Sequence, residues 1–209
     1  MLTNFRNGFG DYLKINIVSY FVVILIFLIG IVLGALAIKV LPDTQKMELV
    51  QYLNIFFSEF AHQAQGNMEI LLTTLGSNLK IILLLWVLGF TIIGIPFVLF
   101  IIFTRGFIIG FTVGFLVNEY VFKGFLFALV SILPHNFIVI PLLAFTSVTA
   151  ISFSIRLIRR KNQITGRLFS DSINYSLLCA MACVAMIVAS LVEVYVSPIF
   201  MRLVVGLLS

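Results

Sequence analysis

Long hydrophobic runs alternate with short polar segments along the chain, and their lengths predict membrane-spanning helices. A helix needs about 20 apolar residues to cross the roughly 30 Å hydrocarbon core of a bilayer. Five segments meet or approach this length, at residues 17–41, 79–103, 106–121, 136–157 and 175–196. Residues 124–133 are also apolar, but they are too few to cross and end at Pro134. We expect them to form a re-entrant or interfacial segment.

The composition supports the same class. Hydrophobic residues make up 62% of the chain and charged residues 10%, and the mean hydropathy is +1.21. Soluble domains average about 45–50% apolar and about 25% charged residues. We therefore predict an all-α polytopic membrane protein with a single integral membrane domain over residues 1–209. Cys179 and Cys183 lie in an apolar run, where they fit small buried helix residues better than a disulfide framework.

Two topologies fit the runs, and charge distinguishes them. If residues 107–117 and 124–133 form one re-entrant hairpin, the chain has four spans. If residues 106–121 cross the membrane, it has five. With five spans and a cytoplasmic N-terminus, eight of the 13 Lys and Arg residues are cytoplasmic, namely Arg6, Lys14, Arg105, Arg156, Arg159, Arg160, Lys161 and Arg167. The hairpin topology leaves only four there. The positive-inside rule favours five spans and an extracytoplasmic C-terminus.

The net charge of +5 indicates a membrane partner and no nucleic acid. Most of the excess positive charge lies in the predicted cytoplasmic segments, beside the anionic headgroups of the inner leaflet. We therefore expect membrane lipids as partners. The sequence places the protein in the cell membrane as a multi-pass protein.

The longest polar segment, residues 42–78, is predicted to be extracytoplasmic and to contain an amphipathic helix. Asp43 is a plausible N-cap. One face of the helix is apolar, with Leu49, Val50, Leu53, Phe56, Phe57 and Phe60 at helical spacing. The opposite face carries the candidate partner-binding residues Glu48, Gln51, Asn54, Ser58 and Glu59. Because helices that rest on lipid usually carry Lys and Arg on the polar face, the acidic face makes protein docking more attractive. Docking on a partner, on the bundle or on lipid all remain open.

A glycine repeat predicts close helix packing. Gly106, Gly110 and Gly114 recur every four residues, which presents one small-residue face to a neighbouring helix. This neighbour can belong to the same chain or to a second copy, so a homo-oligomer is possible.

The stretch Leu133-Pro134-His135-Asn136 is the one place where chemistry could be suspected. Proline lacks an N–H and disfavours α geometry in the residue before it, so we interpret Pro134, His135, Asn136 and Pro141 as a structural junction between two helices. The chain contains no nucleophile elbow, P-loop or zinc-protease motif. With two histidines, it also lacks the ligands of a di-iron bundle. We predict no catalytic residue, no metal and no cofactor.

Four ordered segments give the chain a family resemblance. They are "NLKIILLLWVLGFTIIGIP" (78–96), "RGFIIGFTVGFLVN" (105–118), "LPHNFIVIP" (133–141) and "SIRLIR" (154–159). On these segments the chain resembles the stage II sporulation protein M family, polytopic membrane proteins of endospore-forming bacteria. The likeness runs from about residue 12 to residue 201. The broader family pattern Pro-His-Gly-x-x-Glu-x-Pro is altered here to Asn136 and Val139, which removes the carboxylate that could pair with His135.

The resemblance implies a scaffold role and not an enzyme. Members take part in engulfment, and the family protein is similar to an anchor that localises two peptidoglycan-degrading enzymes, the stage II sporulation proteins P and D. It further implies a location in the septal and engulfing mother-cell membrane. The alternative from a different class is a small-molecule or ion transporter or channel that uses the broken segment around residues 124–141.

Overall fold

The computed structural model describes residues 16–62, 68–159 and 165–195, and nearly all of them are helical. Five helices follow one another along this part of the chain: α1 (Ile17–Val40), α2 (Asp43–His62), α3 (Met68–Gly89), α4 (Gly94–Arg159) and α5 (Thr165–Tyr195). The described residues contain no strand. The predicted all-α class is therefore confirmed.

The number of spans is also confirmed, although the bounds of the second, third and fifth spans differ from the prediction. The helical segments that are long and apolar enough to cross a membrane are Ile17–Val40, Leu72–Gly89, Gly94–Val121, Asn136–Ile158 and Phe169–Leu191. The second span therefore starts and ends earlier than residues 79–103, and the third starts earlier than residues 106–121. The fifth span also starts and ends earlier than residues 175–196. Arg105, which was predicted to lie in the cytoplasmic connection between these two spans, lies inside the third span.

A tight turn at residues 90–93 separates α3 from α4 and accounts for these shifts. The Phe90 amide donates to the Val87 carbonyl, and the Thr91 amide and hydroxyl both donate to the Leu88 carbonyl. Gly94 then donates to Thr91 and starts the next helix. A Cβ at Gly94 would overlap the Leu88 carbonyl, so this turn requires glycine.

The chain reverses inside α4 at Val121, whose φ of 49° and ψ of −121° are not helical. Helical backbone precedes it at residues 94–120, the first limb, and follows it at residues 122–159, the second limb. The predicted break at Pro134, His135 and Asn136 is therefore wrong, because the second limb stays helical through these residues and through Pro141. Interior prolines are tolerated in membrane helices when neighbouring groups satisfy the freed backbone carbonyls.

Close backbone contact joins α1 to the first limb of α4 in a parallel orientation. Cβ atoms added at Gly106 and Gly110 would overlap the carbonyls of Phe27 and Ile31 respectively, and one added at Gly114 would lie 3.0 Å from the Cα of Ala35. Successive contacts are thus four residues apart on both helices. This spacing is that of a small-xxx-small interface. The glycine repeat packs within the chain.

Antiparallel contacts join α3 to α5. Asn78 donates its amide N–H to Ser190 at 3.1 Å, and Trp86 donates its indole N–H to Ser176 at 3.1 Å. Near the second contact, Tyr175 stacks on Phe153 with ring centroids 4.5 Å apart and donates to the Leu85 carbonyl. This aromatic group closes the end of the bundle next to the turn at residues 90–93.

The second limb of α4 is the central helix. In its most hydrophobic stretch 61% of residues are buried, against 22–28% in the other spans. Small hydroxyl residues line its buried surface: Thr146, Ser147, Thr149, Ser152 and Ser154. Ser152 donates to the Asn16 side chain at 2.6 Å, and Ser154 donates to the Thr91 carbonyl at 2.8 Å. These bonds fix the second limb against the start of α1 and the turn at residues 90–93.

Candidate functional site: an intramembrane cavity and an extramembrane helix

A cavity of about 250 Å³ lies between α1 and the two limbs of α4. Its wall is mostly apolar and includes Val23, Ile24 and Phe27 of α1. Three polar side chains also line it: Arg105 and Thr112 from the first limb and Asn136 from the second. We call this space the Arg105 cavity. It combines an apolar wall with a few polar groups, as ligand sites commonly do.

Arg105 is half-buried and lies well inside the third span. It is about 16 Å along the first limb from Gly94, while the whole span Gly94–Val121 is about 42 Å long. The contact of Gly106 with Phe27 sets the same level on α1, near the middle of Ile17–Val40. An ionisable residue at this depth is a candidate functional residue by default, because a charged side chain is costly in hydrocarbon.

The other two polar side chains that line the cavity are those of Thr112 and Asn136. The Thr112 hydroxyl donates to the Ile108 carbonyl at 2.8 Å, which satisfies its hydrogen while its oxygen can still accept. Asn136 is half-buried. Val139 from the same limb is only 2% exposed and also lines the cavity. A glutamate at this position would have brought a carboxylate to the same cavity as Arg105.

The sequence-predicted junction residues therefore have different environments. Asn136 contributes to the cavity, and Pro141 is exposed on the second limb. The backbone of Pro134 and His135 is helical, whereas their side chains lie outside the described residues. In residues 133–136, the amide of Asn136 is therefore the one polar side chain that the structure describes.

The second candidate surface is α2. Glu48 and Gln51 are exposed, as are the apolar residues Met47, Tyr52 and Ile55. The side chains of Asn54, Ser58 and Glu59 lie outside the described residues. Within the described part, the backbone of α2 is separated from the other helices, with no pair of Cα atoms within 8 Å. Asp43 is its first helical residue and not its N-cap, because the Pro42 carbonyl already accepts from the Lys46 amide.

Comparison with known families identifies the chain. A family model for stage II sporulation protein M matches residues 23–198. The chain belongs to the stage II sporulation protein M family. It is therefore a sporulation membrane protein, as the four sequence segments predicted. Comparisons with curated proteins and with solved structures give no match.

Two of the four segments that carry the family resemblance meet at the Arg105 cavity. Arg105 and Thr112 belong to "RGFIIGFTVGFLVN", and Asn136 and Val139 belong to "LPHNFIVIP". The sequence interpretation assigned Arg105 to a cytoplasmic loop and missed its role in the cavity. The missed signal was the pair Gly94 and Pro96, which is typical of a helix start and moves the third span toward the N-terminus.

Proposed function

We propose that this protein is a membrane scaffold of the sporulation engulfment machinery. In this proposal it anchors and localises peptidoglycan-degrading enzymes, the stage II sporulation proteins P and D, at the septal and engulfing mother-cell membrane. Its N-terminus is cytoplasmic, and α2 and the C-terminus are extracytoplasmic. The role is not enzymatic, and the captured hydrolases supply the chemistry.

The observation that carries the proposal is the separation of α2 from the bundle. In the described part of the chain, no Cα atom of this 20-residue helix lies within 8 Å of a Cα atom in another helix. It nevertheless begins only two residues after α1 ends, so that anything bound to α2 is held at the membrane surface. Its exposed side chains combine an acidic group, Glu48, with the large apolar residues Met47 and Tyr52. Such a mixed surface suits a protein partner better than lipid.

The transporter alternative has lost its main support. It required a broken helix around residues 124–141, and broken helices are the usual sign of a transport site. The backbone of this segment is helical throughout. Membership of a sporulation membrane family also favours a role in the sporulating cell's envelope.

The proposal is tested by capture of the hydrolases. The variant carries Glu48→Lys, Gln51→Lys and Glu59→Lys, and the stage II sporulation proteins P and D are quantified in pull-downs from sporulating cells. We expect at least a tenfold loss of both hydrolases, because reversed charge on an interface costs affinity through repulsion. Membrane-dye imaging of the same cells should show stalled engulfment.

Glu119→Lys provides the control, since it reverses an acidic residue at the same end of the bundle but outside α2. Its carboxylate accepts a hydrogen bond from the side-chain amide of Asn118, the preceding residue of the same helix. This variant should retain normal capture. Normal capture by the triple α2 variant would refute the role of α2, and normal engulfment with correctly placed hydrolases after gene deletion would refute the scaffold function.

A further inference from the structure

We propose that the N-terminal half of α3 is a docking surface for a membrane-spanning helix of another protein, one that carries an Asp or Glu side chain at the depth of Lys80. The surface consists of the exposed residues Thr73, Ser77 and Lys80, and we call it the Lys80 face. It is separate from α2, so this proposal does not depend on the capture of hydrolases there.

Lys80 lies near the middle of a membrane span. The span Leu72–Gly89 is about 27 Å long, and Lys80 is about 12 Å from its start and about 14 Å from its end. Lysines near helix ends extend their amines to the membrane surface, but the four-carbon stem of Lys80 is too short to reach either end of this span. A cation at this depth needs a partner of opposite charge, because a charged side chain is costly in hydrocarbon.

The part of the chain that the structure describes does not supply this partner. The Lys80 side chain is exposed and takes part in no hydrogen bond or ion pair among the described residues. A second copy of the chain offers no carboxylate at this depth within the described spans, because their acidic residues, Glu119 and Asp171, lie two residues from the span ends. We therefore expect the complementary carboxylate on a different protein.

The residues along α3 distinguish this face from a surface that contacts lipid. Thr73, Ser77 and Lys80 recur at spacings of four and three residues, so they share one side of the helix. The same side continues toward the turn at residues 90–93 with Leu84 and Val87, which are exposed and apolar. The change from polar to apolar residues along one exposed side indicates protein contact in the first half and lipid contact in the second, because polar side chains in membranes join helices.

Small residues let a second helix approach the Lys80 face closely. Thr73 and Ser77 form a small-xxx-small pair, the arrangement that brings the backbones of membrane helices together. Next to them, a Cβ added at Gly76 would meet no atom within 4 Å, whereas one added at Gly106 or Gly110 would overlap the backbone of α1. The space beside Gly76 is therefore open to a partner helix.

The test measures docking of synthetic membrane-spanning helices to the full chain in phosphatidylcholine nanodiscs. Each probe is a leucine–alanine helix with a dansyl group and one variable central residue, either Glu or Leu. Trp86, the single tryptophan of the chain, lies on α3 six residues from Lys80, so energy transfer from Trp86 to dansyl reports docking beside α3. We expect saturable transfer with the Glu probe and about tenfold weaker docking of the Leu probe, the loss expected for one hydrogen bond to a charged group.

Charge exchange locates the surface. Lys80→Leu should abolish the preference for the Glu probe, and Lys80→Glu should instead prefer a probe with a central Lys. Lys39→Leu is the matched control, since it removes an exposed lysine at the end of α1 and should leave the preference for the Glu probe unchanged. An undiminished preference for the Glu probe in Lys80→Leu would overturn the position of the surface.

Three further outcomes would overturn the proposal. Equal docking of the Glu and Leu probes to the unaltered chain would do so even if a variant failed to fold. A dimer of the unaltered chain that Lys80→Leu dissociates, measured by analytical ultracentrifugation in dodecyl maltoside, would assign the face to a second copy. Loss of the preference for the Glu probe when phosphatidylglycerol replaces phosphatidylcholine would assign Lys80 to a lipid headgroup. A monomeric chain that prefers the Glu probe in both lipids would support a partner helix.

Discussion

Gly110 lies where the first limb of α4 approaches α1 most closely, and its missing side chain allows two backbones to touch. A Cβ there would overlap the Ile31 carbonyl and lie within 2.7 Å of the Ile31 Cα. Backbone atoms cannot rotate away as a flexible side chain can. Dispersion contacts between closely packed backbones replace the hydrophobic driving force that is absent between helices in lipid.

We expect Gly110→Ala to lower the free energy of unfolding by about 1–3 kcal/mol, the usual cost of overpacking. The measurement is SDS-induced loss of helical signal for the purified protein in mild detergent. Gly76→Ala is the matched control, because a Cβ at Gly76 meets no atom within 4 Å. In the interior of α3 it should leave stability unchanged or raise it by up to about 1 kcal/mol. A destabilisation of equal size at both positions would contradict the close contact at Gly110.

Residue roles were predictable where they depend on local spacing alone. The four-residue period of Gly106, Gly110 and Gly114 predicted a packing face, and the structure places that face against α1. The position of Arg105 was not predictable in the same way. The depth of Arg105 depends on where the preceding turn lies. That turn has only four residues and apolar runs on both sides, so it hardly changes the mean hydropathy of the segment. Because the helix start at Gly94 was not recognised in the sequence, Arg105 was assigned to a loop and not to the cavity.

Helix ends are set by two different devices in this chain. At residues 90–93 the turn has its own chemistry, with Thr91 and Gly94 closing hydrogen bonds across it. At Val121 the chain reverses with a positive φ at a β-branched residue. Proline, the strongest breaker in the sequence, ends neither helix. When the first limb ends at Val121 it is about 42 Å long, which is more than the roughly 30 Å hydrocarbon core.

The reversal at Val121 stores strain that glycine would relieve. Positive φ in a β-branched residue costs about 1–3 kcal/mol, and the side chain is 70% exposed and buries little. We expect Val121→Gly to raise the free energy of unfolding by about 1 kcal/mol, because relief of strain outweighs the entropy that glycine loses on folding. SDS titration of the purified protein measures the change.

Val117→Gly is the control for this prediction, since Val117 lies one turn earlier in regular helix and is 38% exposed. The same substitution there should lower stability by about 0.3–0.5 kcal/mol through helix propensity, because valine is itself a weaker helix former than alanine. A loss of stability at both positions would show that Val121 is not strained, and that the reversal is made elsewhere.

At the scale of the whole molecule, the pairwise contacts fix how the helices run relative to one another. The glycine interface makes α1 parallel to the first limb of α4, and the Asn78–Ser190 contact belongs to an antiparallel pair. At one end of the bundle Ser152 donates to the Asn16 side chain and Ser154 donates to the Thr91 carbonyl. The directions agree with five spans, as charge counting predicted. When the four Lys and Arg residues inside the spans (Lys39, Lys80, Arg105 and Arg156) are left out, six remain on the predicted cytoplasmic side and three on the other. The charge bias therefore still has the same sign.

This arrangement gives a sharp prediction for sidedness in living cells. In a background with Cys179→Ala and Cys183→Ala, single cysteines are introduced as Gln45→Cys, Asn118→Cys or Ile92→Cys and treated with a membrane-impermeant maleimide. All three positions are exposed in the structure. We expect labelling at 45 and 118 in intact cells, and at 92 only after permeabilisation, because the turn at residues 90–93 lies at the opposite end of the bundle. Labelling of residue 45 without residue 118 would indicate the four-span hairpin. Labelling of residue 92 alone would mean that the orientation of the whole protein is inverted. In that orientation α2 would be cytoplasmic and could not recruit enzymes that act on the cell wall.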